Sequence, residues 1–303
     1  MKKTVGFIGL GRMGTPMAMR LLNSGHSLCV FDIIPDAMKP FEEKGADTAS
    51  SIKELASKAD VIITIVPADK HIYDIYTGSD GIIDNAKEGL LCIEMTSAMG
   101  ITLKKIKQYA EEKAKNISFV DAPVSGGVDG ASNGTLTIMV GGEDKDIESA
   151  KPYLEILGSK LLYSGKLGDG KSVKMINQML NALNTAAAAE AMYLAKELGI
   201  DTSILLDIVN NSSGGSWVMK NNVPKFMLTG NYDSGFKLGL MTKDLRLSAS
   251  EADSNNLDLP LVKQALKEYE EAIAMMGENV NYNSVFEWVK NHNKREENKN
   301  EGN

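Results

Sequence analysis

Through its first half the chain alternates short apolar runs with stretches whose apolar residues recur every three or four positions. The runs are Thr4–Gly9, Leu28–Asp32, Val61–Val66, Leu91–Glu94, Ser118–Asp121 and Leu136–Val140. Strands covered on both faces show apolar residues at nearly every position, so these runs predict buried strands. Between them, Met13–Ser24, Ser51–Lys58 and Ile101–Lys115 carry the helical period. Strands alternating with helices predict a doubly wound, mostly parallel sheet. Leu161–Tyr163 reads as a last short strand, and after Gly165 the strand signal stops. Asp169–Leu198 reads as one long helix, and Thr202–Asn210, Met241–Ala252 and Pro260–Met276 as further helices. The expected organisation is an α/β domain over 1–164, an all-α domain over 165–290, and a polar tail over 291–303. That tail (NHNKREENKNEGN) has no periodicity and is expected to fray. Asn210–Gly215 and Leu228–Gly235 are expected loops in the helical half.

Composition agrees with two folded domains: 303 residues, 43 % apolar and 24 % charged. A formal charge of −7 argues against nucleic acid or an anionic membrane as the main partner. No apolar run approaches the ~20 residues of a membrane span. The opening MKKTVGFIG is broken by Gly6, Gly9, Gly11 and Arg12 with no cleavage site after it, so a reducing cytoplasm is the expected location. Cys29 and Cys92 sit in apolar runs and read as buried free thiols. With them, His26, His71 and His292 leave little material for a metal centre, and none is expected.

The sharpest chemical signal is Gly9-Leu10-Gly11-Arg12-Met13-Gly14, between the strand Val5–Ile8 and the helix that follows. In this context a GxGxxG turn binds a dinucleotide. Gly9 permits the tight turn, Gly11 lets backbone approach a pyrophosphate, and Gly14 lets helix and strand pack closely. The helix N-terminus faces the phosphate charge. The next strand ends at Asp32, about where an acidic residue takes the adenosine ribose hydroxyls. A carboxylate there repels the 2′-phosphate of NADP, and Ile33-Ile34-Pro35 offers no cation to hold one. The cofactor expected is NAD rather than NADP.

With these motifs in place, the chain resembles the β-hydroxyacid dehydrogenase family across roughly residues 4–290. Four ordered blocks carry the likeness: Phe7–Leu22 (FIGLGRMGTPMAMRLL), Asp121–Gly127 (DAPVSGG), Gly168–Asn177 (GDGKSVKMIN) and Leu240–Leu245 (LMTKDL). The resemblance implies a Rossmann domain followed by an all-helical domain. It also implies a catalytic lysine and NAD(P)-dependent interconversion of a 3-hydroxy acid and its semialdehyde. Lys174 takes the place of the catalytic lysine. Ser125, Gly126 and Gly127 become contacts for the substrate carboxylate, and Phe236 a wall of the same pocket. Lys243 would reach the nicotinamide or substrate end of the site, with Asp244 orienting it. Val66-Pro67 would border the adenine and ribose. Glu94-Met95-Thr96-Ser97 stands where the family usually has Asp-x-Ser-Thr, which puts Ser97 at the nicotinamide-side position. His71 stands where the family commonly has a cofactor-contacting Asn.

The residues themselves support part of this. Lys174, Asn177, Gln178, Asn181 and Thr185 recur at spacings of three and four, one polar stripe on a helix otherwise rich in Ala, Leu and Met. A solvated face is the other reading, but such faces usually carry Glu and Lys, whereas this one is mostly amides. With its other faces apolar, the helix looks buried nearly all round. A buried lysine is costly unless it has work to do. As an ammonium it can protonate a forming alkoxide; as an amine it can take a hydroxyl proton. Asn177 can hold the substrate hydroxyl or carboxylate. Alone, the Ser125-Gly126-Gly127 segment is equally a plain turn, and Lys243-Asp244 a surface charge pair.

Two other functions compete. One is oxidative decarboxylation of a phosphorylated sugar acid, as in 6-phosphogluconate dehydrogenase, where a KxxHN segment is expected; here the stretch reads Lys174-Met175-Ile176-Asn177 and carries no His. The other is a non-catalytic NAD-binding module, which the presence of Lys174 disfavours. The partner expected is a small carboxylate substrate. Ser213–Trp217 would border its tail, with Trp217 a pocket wall or domain packing. The apolar surface of the long helix predicts a homodimer or homotetramer built through the helical domains.

Overall fold

The structure, a computed structural model, describes residues 3–301, with side chains as far as Lys294. Its contacts divide the chain into two units, Met1–Lys174 and Met175–Asn303.

The first unit is built on nine strands: β1 (Thr4–Ile8), β2 (Ser27–Phe31), β3 (Asp47–Thr48), β4 (Val61–Thr64), β5 (Leu90–Glu94), β6 (Ile117–Asp121), β7 (Val124–Ser125), β8 (Leu136–Gly142) and β9 (Gly158–Gly165). They lie in the order β3-β2-β1-β4-β5-β6-β8-β7, with β9 paired to β8. Pairing is parallel from β3 through β6. β8 runs antiparallel to β6 and β7, and β9 parallel to β8. The connections carry α1 (Gly14–Asn23), α2 (Lys39–Glu42), α3 (Ile52–Lys58), α4 (Asp69–Thr77), α5 (Ile82–Asn85), α6 (Gly100–Glu112), α7 (Gly127–Asn133) and α8 (Asp144–Leu157).

The two-sided burial behind the apolar runs is visible in β4. Val61 and Ile63 enter one core with Val5, Phe7, Met17 and Leu21, whereas Ile62 enters a second with Leu55, Ile72 and Leu103. Alternate side chains point to opposite faces, so both must be apolar. The strands β3 and β7, two residues each, are too short to show a pattern. α8 does keep the helical period in its buried residues Ile147, Ala150, Tyr153, Leu154 and Leu157, but Pro152 interrupts the sequence signal. Cys29 and Cys92 are free and buried, and burial pushes the Cys29 thiol up to about 11.

The second unit is helical: α9 (Asp169–Glu197), α10 (Thr202–Asn210), α11 (Trp217–Asn222) continuing into a π turn, α12 (Leu238–Ser254), α13 (Pro260–Met276) and α14 (Val285–Glu301). Its core joins Ala182, Ala189, Met192, Met241, Leu245, Tyr269 and Phe286. Two expectations change, and the contact boundary lies inside α9, because the first turn of that helix is fastened to the sheet. The Asp121 carboxylate accepts from Gly168 N at 2.6 Å and from Lys171 N at 2.8 Å. The stretch expected to fray continues α14 as far as Glu301; residues 302–303 lie outside those described. Buried Val285, Phe286, Trp288 and Val289 anchor its first turns. Once a helix is nucleated, the helix-forming Lys, Arg and Glu that follow extend it at little cost. Finally, α9 is not buried all round, since Val173, Ile176, Leu180 and Leu194 are exposed along it. No helix among the described residues is long and apolar enough to cross a membrane.

Candidate active site

The glycine-rich turn leaves β1 at Ile8 and enters α1 at Gly14. Gly9 has φ +96°, and a Cβ there would stand 2.1 Å from the Ile65 carbonyl oxygen. A Cβ on Gly14 would stand 1.8 Å from the Gly9 carbonyl oxygen. Neither position can carry a side chain without moving backbone. Gly11 differs: a Cβ there would meet nothing within 4 Å. The fold itself leaves that side of the turn open, which is where close approach by a pyrophosphate needs room.

Asp32, just past β2, closes the turn from the other side. Its Oδ2 accepts from Leu10 N at 2.6 Å and its Oδ1 from Ile34 N at 2.8 Å. Each oxygen keeps acceptor capacity for a hydroxyl. Ile33 and Ile34 beside it are 86 % and 61 % exposed, so no cation flanks the carboxylate in this segment. Leu10 is buried and can offer a ligand only its backbone; Met13 is half-buried and Arg12 exposed.

Beyond β4 and β5 the chain supplies Val66, Pro67 and Ser97. Val66 N donates to Thr96 Oγ1 at 2.9 Å, and Thr96 N donates to Glu94 Oε1 at 3.0 Å. Val66 and Ser97 are half-buried, Pro67 is exposed, and His71 is exposed on α4. The glycine turn, Asp32, Val66 and Ser97 therefore stand at the carboxyl ends of β1, β2, β4 and β5. The connections turn to opposite sides of the sheet on either side of β1, and ligands of open parallel sheets bind outside that point. The residues present fit a dinucleotide.

Lys174, on α9, is 6 % exposed. One turn earlier Lys171 is 1 % exposed; its Nζ forms an ion pair with Glu94 Oε2 and donates to the Thr96 carbonyl at 2.7 Å. Burial raises the pKa values of the Glu94 and Asp121 carboxyls, and Lys171 pulls against that rise in both. In the sequence, Glu94, Asp121 and Lys171 each lie inside a motif, and nothing local signals their pairing. Ser125 is half-buried at the end of β7, with Gly126 and Gly127 exposed beyond it.

In the helical unit the polar stripe is divided. Gln178 and Thr185 are buried, Asn181 is half-buried, and Asn177 is exposed. Asn177 Nδ2 donates to Gln178 Oε1 at 3.3 Å, and Gln178 Nε2 donates to Asp244 Oδ2 at 2.9 Å. Lys243 Nζ lies 3.2 Å from Asp244 Oδ1, so Asn177 and Lys243 belong to one polar chain within this unit. Asp244 thus contacts both Gln178 and Lys243. Phe236 is half-buried, edge-on to Tyr282 with ring centroids 5.7 Å apart, and Asn222 Nδ2 donates to Tyr282 Oη at 2.5 Å. Trp217 is 67 % exposed at the start of α11.

Comparison with known proteins gives the same reading over nearly the whole chain. Residues 4–165 match the family described as the NAD binding domain of 6-phosphogluconate dehydrogenase. Residues 168–289 match that described as NAD-binding of NADP-dependent 3-hydroxyisobutyrate dehydrogenase. The mitochondrial 3-hydroxyisobutyrate dehydrogenase of Mus musculus is 38 % identical over 95 % of this chain and 88 % of its own length. An NAD-dependent L-serine dehydrogenase of Pseudomonas aeruginosa is 36 % identical over 88 % of this chain and 91 % of its own. The solved structure of Mycobacterium tuberculosis 3-hydroxyisobutyrate dehydrogenase with L-serine superposes with a TM-score of 0.89 at 30 % identity, covering 95 % of this chain and 99 % of that one. Two matched domains in order, a glycine turn shaped for a dinucleotide and relatives aligned almost end to end make the chain an NAD-binding oxidoreductase, a member of the β-hydroxyacid dehydrogenase family.

Proposed function

We propose that the chain interconverts a small 3-hydroxy carboxylate and its semialdehyde, with Lys174 as general acid and base. The observation that carries this is the burial of Lys174 on α9, within the segment that resembles the family's lysine block. Bound NAD supplies the hydride acceptor at the carbinol carbon, and NADH the donor in reverse. The chain's residues handle the proton and the carboxylate. In oxidation, neutral Lys174 Nζ takes the hydroxyl proton as the carbonyl forms. In reduction, the Lys174 ammonium protonates the new alkoxide oxygen. Ser125, with the backbone N–H groups of Gly126 and Gly127, binds the carboxylate. Asn177 holds the substrate's polar end, Phe236 walls its apolar side, and Lys243 supplies positive charge for an anionic substrate.

The relatives' names narrow the substrate class. 3-Hydroxyisobutyrate and L-serine both carry a primary hydroxyl two carbons from a carboxylate, and differ in a methyl or ammonium group between them. Asp32 with exposed Ile33 and Ile34 supports NAD over NADP as the preferred form. The exposed apolar stripe of α9, with Ile204 and Ile208 exposed on α10, supports a homodimer or homotetramer formed through the helical unit.

The test is a turnover screen over 3-hydroxyisobutyrate, L-serine, 3-hydroxypropionate and tartronate semialdehyde, repeated with Lys174→Ala. On the substrate that turns over, kcat should fall at least ~10²-fold with NADH affinity kept. If Lys174→Ala retains kcat while Lys243→Ala abolishes it, the proton is carried by Lys243 instead.

A further inference from the structure

The reaction as proposed uses Lys174 and leaves unexplained a more deeply buried cluster beside it. Lys171, Glu94, Thr96 and Asp121 are all almost completely inaccessible to solvent. Lys171 Nζ bonds to both Glu94 Oε2 and the Thr96 carbonyl. Glu94 Oε1 in turn accepts from Thr96 N, and the Thr96 hydroxyl accepts from Val66 N. Asp121 holds the backbone of the same helical turn through Gly168 N and Lys171 N. The packing admits no slack: a Cβ on Gly141 would stand 2.6 Å from Asp121 Oδ1, and one on Gly170 2.7 Å from Asp121 Oδ2.

Stability alone gives no reason for this choice. Replacing a buried ion pair with apolar side chains of similar size is often neutral or stabilising. What apolar packing cannot supply is direction, because a hydrogen-bonded pair fixes both distance and angle. The two ends of this pair are chemically placed. At one end, Lys171 precedes Lys174 by one helical turn. At the other, Thr96 precedes Ser97, the residue assigned to the nicotinamide side.

We propose that Lys171 is a positioning residue that sets the register of Lys174 relative to the Thr96–Ser97 segment, with Glu94 as its counter-charge. The proposal rests on the reading of Lys174 as the proton-transfer group. A shift of about 1 Å in a reacting group can cost ~10²-fold in rate, so loss of this register should be visible in the chemical step.

The variants are Lys171→Met, which removes the ammonium, and Lys171→Met/Glu94→Leu, which removes both members of the ion pair. If the single variant fails to fold, the double variant carries the test. Single-turnover hydride transfer is followed by stopped-flow absorbance with the substrate identified in the screen. Misregister lowers the rate constant, whereas loss of folded protein lowers only the amplitude. The expected result is a rate constant at least ~10-fold lower in both variants, with the NADH dissociation constant within about 2-fold of wild type. In the ligand-free protein, amide exchange should quicken over residues 168–174 and stay unchanged in β1. A double variant with the wild-type rate constant, or a loss confined to amplitude, overturns the proposal while leaving the reaction intact. A wild type that transfers hydride to or from no member of the panel overturns the reading of the reaction and this proposal with it.

Discussion

Gly11→Ala should separate the needs of the fold from those of the cofactor. Gly11 is not in the left-handed region, and an added Cβ would meet nothing within 4 Å. The native state should therefore accept the methyl, while the unfolded chain loses freedom, a gain of about 0.4–1 kcal/mol. For a domain of this size that raises Tm by roughly 1–4 °C. The same methyl projects into the space where a pyrophosphate must approach the backbone. Overpacking costs typically ~1–3 kcal/mol, which is roughly a 5- to 150-fold weaker NADH dissociation constant. Gly14→Ala is the control of opposite sign. Its Cβ would stand 1.8 Å from the Gly9 carbonyl oxygen, so α1 must shift off the turn and Tm should fall by several degrees. Thermal melts without ligand and fluorescence titrations with NADH measure the two quantities separately. A Gly11→Ala protein that binds NADH like wild type, or that melts several degrees lower, would refute this account of the turn.

Three further outcomes follow from other parts of the structure. Wild-type kcat/KM should favour NAD(H) over NADP(H), and Asp32→Ser/Ile33→Arg should narrow or reverse the ratio; a wild type that prefers NADP(H) sinks the argument from Asp32. Light scattering at micromolar concentration should show a dimer or tetramer, and Leu194→Glu/Leu198→Glu should reduce its mass; a wild type that is only monomeric defeats the assembly proposal. Asp60 accepts from Thr4 N at 2.8 Å at the start of β1, and this bond holds its carboxyl below the usual range. Its stabilising effect is therefore present above the unfolded-state value near 3.9 and lost as pH falls through the lower folded value. The urea midpoint of wild type over Asp60→Asn should accordingly be larger at about pH 6 than at about pH 3, and an unchanged difference would count against it.

The parts of the fold legible in the sequence are those where burial acts on many residues in a row. Val61–Thr64 reads as a strand because all four residues are buried. Pro260–Met276 shows its helical period for its full length, with Val262, Ala265, Tyr269 and Ala272 buried. The glycine turn was legible because close backbone approach excludes other residues at Gly9 and Gly14. The bond between Lys171 and Glu94 was not, since it joins residues 77 apart and nothing in either one's local segment points to the other. The exposure of Asn177 beside buried Gln178 was equally hidden, because spacing places residues on a helix face but does not say what covers it. The helical continuation of α14 past residue 291 lacked any apolar signal, being an extension of turns anchored earlier.

The attachment of α9 also bears on the order in which the chain can be made and on where it can be cut. Glu94 and Asp121 emerge during synthesis 77 and 50 residues ahead of Lys171, their partner. Until that residue arrives, two carboxylates at the ends of β5 and β6 have neither counter-charge nor helix N–H groups, and the sheet cannot close over them without the cost of burying unpaired acids. A fragment intended to carry the dinucleotide-binding fold alone should therefore not stop at the last strand. Ending at residue 165 would omit the helix turn that neutralises the sheet's own interior, whereas a fragment carried through Lys174 would retain it.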